Sequence, residues 1–165
     1  MDRLSSSQKI LLVLAALGVA AMSYLTYVHY KKDGSTLCDL APGFSCEIVN
    51  KSIYAEIFGV PVSVMGLAYF LAVIVLVLGQ IRGGAKMIEL FTLGALVFSL
   101  YLTGLEIYLL ASICVICEFA KVLMLCIFGV THRGNRRVGA RIGRQHLAAL
   151  TVGSVGTIAL YFIQR

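Results

Sequence analysis

The chain has 165 residues, of which 59% are hydrophobic and 13% charged, and its formal net charge is +6. A soluble protein of this size could not bury so much apolar surface, so the composition excludes an ordinary soluble domain and points to the bilayer. The basic balance invites a nucleic-acid reading, but the positions of the basic residues reject it.

Apolar runs occur at about 10–28, 62–80, 87–110, 113–130 and 147–163. Each is near the ~17–25 residues that a spanning helix needs, and the last is the shortest. The run 10–28 follows basic residues, like a signal peptide. Its far flank, Tyr24-Leu25-Thr26-Tyr27-Val28-His29-Tyr30, has no small-residue cleavage site, so it reads as a retained helix. Arg3, Lys9, Arg82, Lys86, Arg133, Arg136, Arg137, Arg141 and Arg144 fall on one side of a five-span arrangement. Lys31, Lys32, Lys51 and Arg165 fall on the other, with Lys121 inside a span. The positive-inside rule then puts the N-terminus in the cytoplasm and the loop at about 31–61 outside. The cluster from Arg133 to Arg144 becomes an orientation signal beside anionic lipid heads. The expectation is an all-α integral membrane protein, one membrane domain over 1–165, with no nucleic-acid partner.

After the first span, Lys31-Lys32-Asp33-Gly34-Ser35 signals a polar turn. Cys38 stands beside Asp39, and Ala41-Pro42-Gly43 turns the chain again before Cys46. A disulfide between Cys38 and Cys46 closes a short loop easily across such a turn. From Cys46 onward, Cys46, Val49, Ile53 and Ile57 recur at helical spacing, which predicts a short amphipathic helix lying in the interface. Its apolar face turns Cys46 toward the bundle and leaves Cys38 freer for a soluble partner. Phe58-Gly59-Val60-Pro61 ends this helix and opens the second span.

The second span turns at Ile81-Arg82-Gly83-Gly84-Ala85-Lys86, and the third returns to about Leu110. A very short link around Ala111-Ser112 leads to Cys114-Val115-Ile116-Cys117, with Ser112 as the expected helix cap. The two intervening crossings bring Cys114 and Cys117 to the same face as Cys38 and Cys46. A helix N-terminus favours thiolate over thiol, and thiolate is the attacking species. Cys114 is expected at the exposed mouth of the helix and Cys117 one turn deeper.

Structural disulfides are the bland alternative, yet a Cys-x-x-Cys on a helix closes almost no loop and constrains little. The loose Cys38–Cys46 spacing lacks the paired knuckles of a zinc site, so no metal is expected. Redox exchange between the pairs remains. Cys126, two to three turns below Cys117, reads as a buried packing residue. Glu106 is an ionisable residue near the outer end of the third span, either functional or snorkelling to the headgroups. Glu118 complements the helix dipole, and Lys121 is placed to pair with it. Ser52 faces the bundle, or bonds its own helix backbone. A relay also needs an electron sink. The chain has no nucleotide-binding glycine motif and no haem or iron–sulfur pattern, and a lipid-soluble quinone is the simplest acceptor at this depth.

The order of parts resembles the bacterial branch of the vitamin K epoxide reductase family over about 10–130. The resemblance rests on span one, the loop cysteine pair, and the serine in Asn50-Lys51-Ser52-Ile53-Tyr54-Ala55. It continues through Phe58-Gly59-Val60-Pro61 and Gly66 to the Cys-x-x-Cys that opens span four. DsbB-type quinone reductases carry their Cys-x-x-Cys before the separated loop pair, the reverse of the order here. The resemblance implies a four-helix bundle around a quinone of the ubiquinone or menaquinone type, plus a fifth transmembrane helix. It implies that Cys38 and Cys46 take electrons from a thioredoxin-fold protein of the DsbA type, that Cys114 exchanges with that pair, and that Cys117 faces the quinone. It puts Ser52 on the family's usual serine and Glu106 at the quinone pocket. Many bacterial members carry a fused thioredoxin-like domain after the fifth helix; this chain stops at Arg165, so a separate partner is expected. Animal enzymes have a Thr-Tyr-Ala element after their Cys-x-x-Cys, where this chain has Glu118-Phe119-Ala120-Lys121, a departure that bears on vitamin K epoxide as substrate. The implied function is thiol–quinone oxidoreduction in the bacterial cytoplasmic membrane, with the active site on its outer face. Thiol-driven reduction of vitamin K quinone or epoxide, and a non-catalytic scaffold with structural disulfides, are the alternatives.

Overall fold

The structure is a computed structural model that describes residues 4–31, 45–81 and 83–137. Cys38 and the expected fifth span at 147–163 lie outside the described residues. Helix α1 (Ser6–Tyr30) opens with a capping box: Ser5 Oγ accepts from Gln8 N–H, and Gln8 Oε1 accepts from Ser5 N–H at 2.8 Å. Its buried residues Leu11, Ala15, Gly18, Met22, Leu25 and Val28 form one stripe at spacings of three and four. That stripe packs on α3 (Val62–Leu78) at two close approaches. Phe70, fully buried, fills the space a Cβ on Gly18 would occupy, and Met22 of α1 fills the space beside Gly66.

Helix α4 (Gly84–Leu105) returns to the end where α1 finishes, and α5 (Val115–Arg137) leaves from it. We call this the site end. Far from it, Glu89 of α4 is bonded to His132 of α5 at 2.7 Å, and Tyr69 of α3 to Thr92 of α4 at 2.7 Å. Around the bundle α1 packs on α3 and α5, and α5 packs on α4, whereas α3 and α4 touch least. The bundle is therefore open between α3 and α4.

Among the described residues, three helical stretches, Ser6–Tyr30, Gly84–Leu110 and Val115–Gly134, are long and apolar enough to cross a membrane, and Val62–Leu78 is a shorter apolar helix. Leu17, Val75, Leu100 and Leu125 face outward, a surface that suits lipid and not water. The protein is a multi-pass membrane protein. Cys126 is also exposed on this outer surface, which corrects the expectation of a buried packing residue. Its helix turns Met124 and Ile127 inward instead.

The segment over the site end differs from the single amphipathic helix expected. Helix α2 (Cys46–Asn50) is one turn long, capped by Ser45 Oγ accepting from Ile48 N–H at 3.2 Å. It stops because Asn50 is committed to α1: its Nδ2 donates to Leu25 O, and its carbonyl accepts from His29 Nδ1 at 2.7 Å. A 3₁₀ turn (Ile53–Ala55) and a two-stranded hairpin follow, β1 (Glu56–Ile57) with β2 (Val60–Pro61). Positive φ at Phe58 and Gly59 makes the tight hairpin turn. Ile53, expected on the apolar face, is 70% exposed, because the helix that would have turned it inward has already ended. His29 Nε2 reaches Glu56 Oε1 at 3.2 Å, so one histidine ties α1 to both α2 and the hairpin.

Candidate active site

Cys46 is the first residue of α2, is fully buried and is disulfide-bonded. Cys38, its expected partner, lies outside the described residues. Cys114 Sγ donates to Cys46 Sγ at 3.4 Å, across 68 residues of sequence. That separation is within the ~3–3.5 Å of a near-attack arrangement. Cys114 and Cys117 are both free thiols.

The start of α5 also differs from expectation. Cys114, not Ser112, caps the helix: its carbonyl accepts from Glu118 N–H at 3.0 Å, and its Sγ accepts from Cys117 N–H at 3.3 Å. Nor is Cys114 exposed; it is 0% accessible, because α2 lies across the N-terminus of α5 and covers it. Cys117, one turn in, is half-buried and faces a cavity.

Glu106 does not snorkel. Helix α4 widens into a π-turn (Glu106–Leu110) and ends at Ala111 with φ of 47°, a left-handed residue that reverses the chain. This geometry turns the Glu106 side chain inward, where it is 3% exposed and its Oε2 accepts from Cys114 N–H at 3.2 Å. The Glu106 carbonyl accepts from Ser112 N–H at 3.2 Å. Both oxygen-bearing groups of one residue thus hold the link between α4 and α5.

The cavity has a volume of about 410 Å³, in the range of small-molecule sites, and lies in the opening between α3 and α4. Cys117, Glu106 and Lys121 stand in its wall at the site end, and Tyr69, Phe91 and Met124 deeper in. Ser52 also lines it, and its Oγ donates to Val49 O at 2.8 Å. Lys121 pairs with Glu118 as its spacing suggests, and also donates to Thr103 Oγ1 of α4. The lysine is 7% exposed, a buried cation one turn below Cys117. Thr103, Asn50 and Ser63 escape a sequence reading. Small polar residues at helix ends are common, and only Lys121 inside a span hints that a polar partner must face it.

These features define a class: a multi-pass membrane redox protein built on clustered cysteines, with an intramembrane cavity beside the dithiol. Residues 9–132, most of the chain, match the model of the Vitamin K epoxide reductase family, and the chain belongs to that family. The matched region ends within α5 and contains every site residue described above.

Proposed function

We propose that the protein passes electrons from a soluble thioredoxin-fold dithiol, through Cys38–Cys46 and Cys114–Cys117, to a quinone, and so supports disulfide formation. The observation that carries this reading is the 3.4 Å contact between the Cys114 thiol and the sulfur of disulfide-bonded Cys46. Two structural disulfides would have no reason to bring a free thiol against a disulfide sulfur.

The chemistry is balanced thiol exchange. A partner thiolate attacks Cys38, releases Cys46, and leaves as the partner's own disulfide once its second thiol attacks. Cys46 thiolate then attacks Cys114 in a Cys114–Cys117 disulfide, forming a Cys46–Cys114 bond and releasing Cys117. Cys38 attacks Cys46, which restores the loop disulfide and frees Cys114. The described sulfurs match this last state, with Cys46 oxidised and Cys114 and Cys117 reduced. A quinone, when bound, supplies the sink for two electrons and two protons, and the dithiol closes again. The cavity suits that group: apolar walls for a ring and tail, and polar residues gathered where Cys117 enters. Lys121 supplies positive charge beside Cys117, and Glu106 holds the Cys114 backbone in place. The gap between α3 and α4 offers entry from the lipid.

We further propose a bacterial cytoplasmic membrane location, with the N-terminus inside and the site end outside, as the Lys and Arg distribution favours. The test uses the purified protein, a short-chain ubiquinone and a reduced thioredoxin-fold oxidase. Wild type oxidises the partner with loss of quinone absorbance. Cys117→Ser blocks this and accumulates a Cys46–Cys114 crosslink, found by non-reducing mass spectrometry. Intact electron transfer in Cys114→Ser or Cys117→Ser would return the protein to the scaffold reading.

A further inference from the structure

Hydroxyls on the membrane helices bond backward onto their own helix. Thr26, Ser99, Thr103 and Thr131 each donate to a carbonyl three or four residues earlier. Ser63 does not. Its Oγ has no hydrogen-bond partner among the described residues, although the residue is only 3% exposed. The cause is its position. Ser63 is the second residue of α3, so the carbonyls three and four residues back belong to Val60 and Gly59 in the hairpin, not to a helical turn. A buried hydroxyl without a partner is unfavourable, and native proteins tolerate few.

Ser63 lines the cavity, and the topology sets its depth. It stands in the first turn of α3, Cys117 in the first turn of α5, and Glu106 at the end of α4, all at the site end. Of the other hydroxyls in the cavity wall, those of Ser52, Tyr69 and Ser99 are already hydrogen-bonded to protein groups. A ligand that satisfies this corner needs apolar faces and a hydrogen-bond acceptor on its edge. The hydrocarbon tail of a lipid has no such acceptor; a quinone has its carbonyl oxygens.

We infer that Ser63 is a ligand-binding residue, whose hydroxyl donates to a carbonyl oxygen of the quinone held beside Cys117 and so fixes which edge of the ring faces the dithiol. This rests on the electron acceptor proposed above, and the test separates the two. The full-length protein is titrated in detergent with a short-chain ubiquinone isotope-labelled at its carbonyl carbons, and the bound carbonyl stretch is read by infrared difference spectroscopy. Wild type shows a carbonyl band lowered by hydrogen bonding. Ser63→Ala loses that lowering and binds about two- to tenfold more weakly, the worth of one neutral hydrogen bond. Ser63→Thr, which keeps the hydroxyl, retains the band. Formation of the Cys46–Cys114 crosslink in a Cys117→Ser background proceeds unchanged with Ser63→Ala, which verifies the fold. Equal affinity and an identical carbonyl band in Ser63→Ala would overturn the inference. A wild type that binds no quinone, while its Cys117→Ser variant still forms the crosslink, would overturn the acceptor reading, and this inference with it.

Discussion

Glu106 joins the cavity to the cysteine exchange, and its removal should be felt in the exchange itself. The buried carboxylate accepts from Cys114 N–H at 3.2 Å, and Cys114 Sγ lies 3.4 Å from Cys46 Sγ. Glu106→Ala removes the acceptor and leaves the Cys114 N–H, at the reversal after Ala111, without its side-chain partner. A hydrogen bond to a charged group contributes about 1.5–3 kcal/mol. If that energy holds Cys114 against Cys46, its loss slows exchange roughly ten- to hundredfold, at about 1.4 kcal/mol per decade. Glu106→Gln keeps an acceptor oxygen of the same reach and should stay within a few-fold of wild type. The assay is the rate of Cys46–Cys114 crosslink formation in a Cys117→Ser background, which needs no quinone. Glu106→Ala crosslinking at the parental rate would refute the positioning role and leave Glu106 as a cavity-wall residue alone.

Gly18→Ala places a Cβ 2.3 Å from the Phe70 ring, so α1 and α3 must part. Overpacking of this kind costs about 1–3 kcal/mol, seen as a lower midpoint of thermal unfolding in detergent, and Phe70→Leu should recover part of it. Cys126→Ala, on the outer surface of α5, should change stability by no more than ~0.5 kcal/mol and leave quinone-linked turnover intact. A membrane-impermeant thiol reagent, applied to intact cells after reduction, should label Cys38; labelling only after permeabilisation would reverse the proposed orientation.

Much of this protein is written locally. The apolar runs fall on α1, α3, α4 and α5, because a span needs only length and composition, although α5 continues to Arg137, past the end of its apolar run. Pro61 before Val62 marks a helix start, and the Cys-x-x-Cys three residues beyond Ala111 marks another, since each is a property of a few adjacent residues. The inward face of Cys46 is legible from the spacing of Cys46 and Val49, both buried. The tertiary structure alone decided where that helix stops, because the Asn50 bonds that end it go to Leu25 and His29, on another element. It alone decided that Cys114 is covered, since the cover is α2, brought from far upstream. It alone turned Glu106 inward and away from the headgroups, because that depends on a π-turn that aims the carboxylate at a backbone N–H eight residues on. Periodicity and composition report what a residue prefers for its own helix. Which sulfur meets which, and which hydroxyl is left without a partner, depend on segments that only folding makes neighbours.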